Sequence, residues 1–472
     1  MSKAAIVGGG VIGGGWAARF LLNGWDVAVF DPDPEAERKI SAVLSNARRS
    51  LPSLYDRALP PEGRLTFHAD LAEAIDGADW VQESVSERLE VKLRVYREIS
   101  RLAPDLLIGS STSGFKASEL AKEGAKVVVV HPFNPVYLLP LVELSGDPAL
   151  CARAEAMVRS IGMYPLTLRK ENDAFIGNRF QEAVWREALW MIRDGYATTA
   201  EVDEAIRLGF GLRWGQMGMF ETYRIAGGEV GFESYLAQFG PSLSWPWSKL
   251  TDVPELDDAL VRQISSQSDA QSGLRSVREL EQLRDDNLVG FIRSLRYSGT
   301  AAGKVVLEHE AGLTEGGDYL GLPITSARQV PQTWTDYNGH MNEACYLQAG
   351  SWATDGLMRR IGVNAAYISS GYSFFTVDTR LRYLAEVHAG DRLTITTQVL
   401  AGEGRKMRLF HRIWRGDGVL SATIETLLLH TDLASRRSCP PMPAVADKLA
   451  ELHAAHGGML AEGAGGAVGD RG

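Results

Sequence analysis

Cysteine is scarce in this sequence. Cys151, Cys345 and Cys439 are all there is in 472 residues, odd in number and far apart, which excludes a disulfide framework and cysteine-based zinc spacing. The nine histidines include no HExxH pair, so no metal is expected. No apolar run is long enough to span a bilayer, and no leader-like stretch precedes the first strand at Lys3. A cytoplasmic protein without membrane partners is expected. Positive charge is in deficit: 49 Lys and Arg against 59 Asp and Glu give a net charge of −10, which argues against nucleic acid and anionic membranes as main partners. There is no internal repeat. What remains is an ordinary globular composition, 45% hydrophobic and 23% charged, at a length that calls for two or three domains.

The chemistry concentrates at Val127-Val128-Val129-Val130-His131-Pro132-Phe133-Asn134-Pro135. Four consecutive valines read as a strand buried on both faces, with His131 at its carboxyl end, where open α/β sheets gather ligands. The gap from His131 to Glu143 contains Pro132, Pro135 and Pro140 and is too short and too broken for a parallel helical crossover. Leu141-Val142-Glu143-Leu144 is therefore expected to return antiparallel and bring Glu143 back to His131. A carboxylate there fixes the imidazole tautomer, which suits a general base.

Ahead of this stretch, the strand Ala4–Val7 runs into Gly8-Gly9-Gly10-Val11-Ile12-Gly13. In this GxGxxG pattern Gly8 serves the tight turn, Gly10 the close approach of a pyrophosphate and Gly13 the packing of helix on strand, and Val11 and Ile12 are counted with them as cofactor-binding. A helix follows, then the strand Asp26–Asp31, which places Asp31 where an acidic side chain takes the adenosine ribose hydroxyls. The acidic Asp33 and Glu35 that come next disfavour a 2′-phosphate, so the expected cofactor is NAD rather than NADP. Glu87 and Lys92 follow another strand and are candidates for the nicotinamide ribose. The hydroxyl-rich loop Ser110–Ser113 offers donors to a substrate oxygen.

From Asn172 onward long helical periodicity takes over to about Arg296, and Gly299 to Pro323 is weakly patterned. Beyond it, strands at 326–330, 374–384, 392–400, 406–414 and 420–429 surround one helix from Ala344 to Ile361. The fold class expected is an α/β Rossmann-type dinucleotide-binding domain (1–168), an all-α helical domain (169–298), a linker (299–322) and an α+β domain (323–445). The Gly- and Ala-rich tail, 457–472, is expected to be disordered.

Residues 3 to 300 resemble the 3-hydroxyacyl-CoA dehydrogenase family, on the glycine motif, Glu87 with Lys92, Ser110–Ser113, His131–Pro135, Leu141–Glu143 and Asn178-Arg179. The resemblance implies His131 as base, Glu143 as its orienting partner, Ser113 and Asn178 as donors to the reacting oxygen, and Asn134 near the nicotinamide. Thr112-Ser113-Gly114 and the run from Gly211 to Thr222 look unlike the acyl-CoA enzymes and more like the branch acting on L-carnitine or L-gulonate. For carnitine, aromatic faces must recognise the trimethylammonium group. Trp214, Phe220 and Tyr223 are the favoured candidates among the rings of the helical domain, with Arg213 for the substrate carboxylate.

The last domain resembles the hotdog-fold thioesterases of the 4-hydroxybenzoyl-CoA type, on Asp336-Tyr337-Asn338-Gly339-His340-Met341-Asn342 before a long helix. This implies Asp336 as nucleophile or general base, with backbone N–H groups at the helix start polarising the thioester carbonyl. Glu343 stands where many of these relatives have a second asparagine. Together the two resemblances imply a bifunctional homodimer that oxidises L-carnitine to 3-dehydrocarnitine with NAD and hydrolyses an acyl-CoA thioester, betainyl-CoA. A gulonate or other small 3-hydroxyacid dehydrogenase is the alternative.

Overall fold

The computed structural model describes residues 2–226 apart from 56 and 58, then 232–239, 246–249, 255, 257–273, 275–313 and 317–465. Two compact units are present, one comprising Met1–Leu21, Trp25–Ala47 and Gly63–His309, the other Leu22–Gly24, Arg48–Glu62 and Glu310–Gly472. No helix among the described residues is long and apolar enough to cross a membrane.

The first unit is built on an eight-stranded sheet: β1 Lys3–Val7, β2 Asp26–Phe30, β3 Leu65–His68, β4 Trp80–Glu83, β5 Ile108–Ser110, β6 Val127–Pro132, β7 Leu141–Ser145 and β8 Tyr164–Thr167. Their spatial order is β3-β2-β1-β4-β5-β6-β7-β8. All neighbours run parallel except β6 and β7, which are antiparallel with His131 directly opposite Glu143. The valine run is buried throughout, as a strand covered on both faces must be. Helix α1 (Val11–Leu21) follows the glycine turn, and α2 (Leu89–Leu102) follows β4.

The helical part begins with α3 (Gly177–Arg193) and includes α4 (Gly211–Ala226) and α5 (Val277–Ser298). It is tied to the sheet by Tyr137, whose hydroxyl donates to the fully buried Asp285 carboxylate at 2.8 Å. Burial and that carboxylate push the phenol well up.

Two sequence expectations need correction. Residues 299–322 are not a featureless linker: Ala301–Gly312 forms a helix, α6. Gly299 ends α5 in the left-handed region, and a Cβ at Gly303 would lie 2.0 Å from the Arg296 nitrogen. The glycines that suggested a linker instead allow a tight corner between two helices. Nor is the whole tail from Gly457 disordered. The Gln398 amide donates to the carbonyls of His456 and Met459, Arg412 to that of Leu460 and Arg380 to that of Gly465. A Gly- and Ala-rich segment buries little of its own, but here its carbonyls are held by side chains of the sheet. Residues 466–472 lie outside the described residues.

The second unit carries a six-stranded antiparallel sheet: β9 Asp318–Tyr319, β10 Leu322–Gln329, β11 Tyr372–Tyr383, β12 Arg392–Ala401, β13 Lys406–Arg415 and β14 Leu420–Asp432, in the order β11-β14-β13-β12-β10-β9. Helix α7 (Glu343–Arg360) lies on it. Glycine sets how close the two can come: a Cβ at Gly356 would meet the Thr325 carbonyl oxygen at 2.0 Å, and one at Gly350 the Ile424 side chain at 2.4 Å. Tyr346, Ala349 and Ala353 of the helix pack against Leu393, Ile395, Ile413, Ala422 and Ile424. His411 is enclosed in this contact between Thr354 at 3.0 Å and Thr397 at 2.8 Å, and burial lowers its pKa to about 3, so it is neutral. A terminal helix, α8 (Pro443–His456), was not foreseen from the sequence.

Candidate active sites

The glycine turn meets the steric demands of a dinucleotide cradle. Gly8 has φ +105, and a Cβ there would sit 2.5 Å from the Ser84 carbonyl oxygen. At Gly13 a Cβ would strike the Gly8 carbonyl oxygen at 1.8 Å, whereas at Gly10 it would meet nothing within 4 Å. Gly10 and Val11 are exposed at the helix start, and Ile12 is half-buried. The amides that precede the Gly14-to-Gly10 hydrogen bond are thus presented to an anion. Asp31 is half-buried at the end of β2, accepting from the amides of Gly9 and Asp33. These residues fit NAD.

Of the four hydroxyls from the end of β5 onward, three turn inward. Ser110 donates to Glu83 at 2.7 Å, Ser111 accepts from Trp16 and Gln82, and Thr112 donates to Glu87 at 2.5 Å. Only Ser113 is exposed. Its amide donates to the Glu87 carboxylate at 2.9 Å, and its carbonyl accepts from Asn178 at 2.9 Å.

Glu87 and Lys92 differ in access. Lys92 is 1% exposed, with its ammonium 2.9 Å from Glu83 and 3.2 Å from Glu87, so Glu87 is the member of the pair that faces solvent. Burial pushes the Glu87 carboxyl up, but the Thr112 hydroxyl and the Lys92 ammonium outweigh it and hold the group below its ordinary value. Glu83 and Tyr96, which sequence reasoning missed, complete this buried polar group, with the Tyr96 hydroxyl donating to Glu83.

At the end of β6, His131 Nδ1 lies 2.9 Å from Glu143 Oε2, and its Nε2 lies 3.3 Å from the Asn178 amide. The second Glu143 oxygen accepts from the backbone N–H of Ile176 at 2.9 Å and of Gly177 at 3.0 Å. Burial raises the Glu143 carboxyl, but the hydrogen bonds from His131, Gly177 and Ile176 more than offset this and leave it lowered. An ionised Glu143 is acceptor-only, so Nδ1 carries the proton and Nε2 is the acceptor nitrogen, which here faces the Asn178 amide.

The rings of Phe133 and Phe175 flank the imidazole, with centroids at 5.0 and 5.1 Å. Ala174 and Phe175 adopt φ +59 and +56, and this turn aims the next two amides at Glu143. A Cβ at Gly177 would lie 2.3 Å from the Phe133 ring. Nothing in the sequence marks Phe175 for a positive φ, so its part was not readable there. Asn134 is exposed just beyond Phe133.

The candidate substrate rings fall in two pairs. Trp214 meets Phe210 at 4.7 Å, and Tyr223 stacks on Tyr235 at 4.6 Å. Arg213 and Phe220 are exposed on the same helix. The face of Trp190 is covered by the Lys249 ammonium, 3.9 Å from its ring centroid.

In the second unit, Asp336 opens a turn ahead of α7. Its carboxylate accepts from the Asn338 amide at 2.8 Å, its carbonyl from Gly339 at 3.0 Å, and its own amide donates to His340 at 2.9 Å. Asn342 caps the helix by accepting from the Ala344 amide at 3.0 Å, and its amide donates to the Trp334 carbonyl at 2.7 Å. The turn is thereby folded back against the helix start. Among the described residues, His340, Glu386 and His388 bring potential ligand atoms within 4.8 Å of one another. Within this group His340 is 3.4 Å from Glu386, and His388 Nδ1 is 3.3 Å from the Gly339 carbonyl.

Comparison with known proteins assigns both parts of the chain to families. Residues 3–172 match the NAD-binding domain of 3-hydroxyacyl-CoA dehydrogenase, 175–259 its C-terminal domain, and 330–449 the thioesterase-like superfamily. The chain is 56% identical to an L-carnitine dehydrogenase/betainyl-CoA thioesterase of Ruegeria pomeroyi, covering 99% of each. To the protein of that name in Agrobacterium fabrum it is 49% identical, over 99% of this chain and 98% of that one. A solved structure of FHMPC 5-dehydrogenase, described as an NAD+-dependent dismutase, is 26% identical and superposes with a TM-score of 0.53 over 62% of this chain and 99% of its own. The chain belongs to the 3-hydroxyacyl-CoA dehydrogenase family, in the group that carries a thioesterase domain on the same polypeptide.

Proposed function

We propose that this protein oxidises L-carnitine to 3-dehydrocarnitine with NAD and hydrolyses betainyl-CoA to glycine betaine and CoA. Full-length identity to proteins carrying both names supports this over gulonate oxidation. The observation that carries the oxidation chemistry is the His131 imidazole, oriented by Glu143 at 2.9 Å. In this reading, His131 Nε2 removes the proton of the substrate hydroxyl, and Glu143 stabilises the imidazolium that forms. Asn178 and Ser113 hold the reacting oxygen. NAD, when bound, supplies the hydride acceptor. Gly8, Gly10, Val11, Ile12 and Gly13 cradle its pyrophosphate, Asp31 takes the adenosine ribose, and Glu87, backed by Lys92, faces the nicotinamide side with Asn134. Trp214, Tyr223 and Phe220 of the same helix serve the trimethylammonium group, and Arg213 the carboxylate.

Exchange of His131 for alanine is expected to lower kcat by ~10²–10⁴-fold with NAD affinity retained. Glu143→Gln costs less, because the imidazole remains, and Ser113→Ala raises the barrier by about 2–4 kcal/mol. Near-normal steady-state turnover by His131→Ala would refute the assignment.

Cofactor choice rests on the Asp31 carboxylate, which accepts ribose hydroxyls and repels a 2′-phosphate. NADP should be a poor cofactor for the wild type, and Asp31→Ala should narrow the gap. Equal kcat/KM with NAD and NADP in the wild type removes this role.

For the ammonium site, Trp214→Ala or Tyr223→Ala should raise the KM for carnitine about 2–30-fold, since one ring face contributes roughly 0.5–2 kcal/mol. The KM for NAD should barely move. A carnitine KM unaffected by both substitutions would place the cation elsewhere.

A homodimer is part of this reading. Phe180 and Trp185 on α3 are 55% and 60% exposed, and β11 presents a twelve-residue edge carrying exposed Phe375 and Val377. Light scattering at micromolar concentration should give twice the chain mass. A fully active monomer would contradict it.

A further inference from the structure

We propose that Glu343, with the ring of Tyr383, makes the thioesterase half selective for an acyl group carrying a cation next to the thioester carbonyl. This deepens the reading of betainyl-CoA hydrolysis and rests on it. Glu343 is the first residue of α7, immediately after the Asn342 cap, and it is exposed. Tyr383 reaches it from the end of β11, with its hydroxyl 3.5 Å from the Glu343 carbonyl oxygen. Burial raises the Tyr383 phenol and the Glu343 charge adds to the rise, which puts that carboxylate in electrostatic reach of the phenol. The Tyr383 ring stands edge-on to buried Tyr346, centroids 5.2 Å apart at 83°, and is itself 53% exposed. The Asp336 turn is bonded back to the same helix start through Asn342 and Trp334. The Asp336 turn, Glu343 and an open aromatic ring are therefore tied to one helix start from three elements.

The charge balance of hydrolysis makes this arrangement informative. Attack on a thioester places a negative charge on the carbonyl oxygen, which the backbone donors of a helix start stabilise. A carboxylate fixed at that same helix start opposes the developing charge, and beside Asp336 it adds like-charge repulsion. For a neutral acyl group Glu343 is a handicap. In a betainyl group the quaternary nitrogen lies two bonds from the carbonyl carbon and has no N–H to donate. It can only be recognised by an opposite charge and by ring faces, and Glu343 and Tyr383 supply one of each. The cation then offsets the carboxylate, and the handicap falls on neutral competitors alone. An acidic residue in the first turn also favours the helix itself, so the test must separate selectivity from stability.

The experiment compares hydrolysis of betainyl-CoA with that of its neutral isostere, the tert-butylacetyl thioester of CoA, using the full-length protein. In Glu343→Gln, kcat/KM for betainyl-CoA should fall at least tenfold while that for the neutral thioester rises, and Glu343→Asp should restore much of the preference. Tyr383→Leu should lower the betainyl-CoA value more than the neutral one. Retained hydrolysis of the neutral thioester reports that the thioesterase unit is folded, and unchanged carnitine oxidation reports the same of the dehydrogenase unit. An equal fall for both thioesters in Glu343→Gln would make Glu343 a helix-stabilising residue only and overturn the proposal. Asp336→Ala should abolish hydrolysis of both. A wild type that cleaves the neutral thioester but not betainyl-CoA would refute the proposed function itself, an outcome distinct from a wild type that prefers betainyl-CoA by a route indifferent to Glu343.

Discussion

Glu143 is a carboxylate with no exposed surface, placed opposite His131 across an antiparallel strand pair. An ionised group in that position is tolerated only if its lone pairs are occupied, and here the imidazole and two backbone amides occupy them. Leaving a buried group short of a hydrogen-bond partner typically costs about 1–3 kcal/mol, and more when it is charged, so the strand register, the turn at Ala174-Phe175 and the start of α3 are bound to one another through this side chain. The site is rigid because the carboxylate is buried.

The same logic recurs one layer away. Glu83 is equally buried, and Lys92, Tyr96, Ser110 and the Val85 amide take up its oxygens. Lys92 also reaches Glu87, whose carboxylate holds the Ser113 amide, and the Ser113 carbonyl holds Asn178 against His131. A continuous polar path thus runs from the end of β4 to His131. In the thioesterase unit the corresponding constraint is steric: glycines at 350 and 356 let α7 settle on the sheet, which fixes where its first residues and the Asp336 turn can lie.

Much of this was legible in the sequence because it depends on short-range rules. The valine run, the proline-broken return and the glycine motif each permit few local structures, so the antiparallel pairing of His131 with Glu143 could be anticipated. The strands and single long helix of the last domain followed from period-two alternation around one helical segment. The glycines of 299–322 misled, because a glycine that ends a helix and one that loosens a linker look the same without their neighbours. The start of the tail misled for a related reason: its order comes from Gln398, Arg412 and Arg380, more than forty residues away.

By itself the sequence determined the class of each domain, the glycine turn of the NAD-binding domain, and the pairing of His131 with Glu143. Those features rest on residue types at fixed local spacing, where backbone sterics leave little choice. Only the tertiary structure decided which of four neighbouring hydroxyls stays exposed, that Lys92 is buried behind Glu87, and that Ile176 and Gly177 complete the Glu143 site. It also decided that Tyr383 stands beside Glu343. These depend on burial and on hydrogen bonds between distant segments, and the cost of leaving a buried charge unpaired is set by the whole packed unit rather than by any stretch of chain.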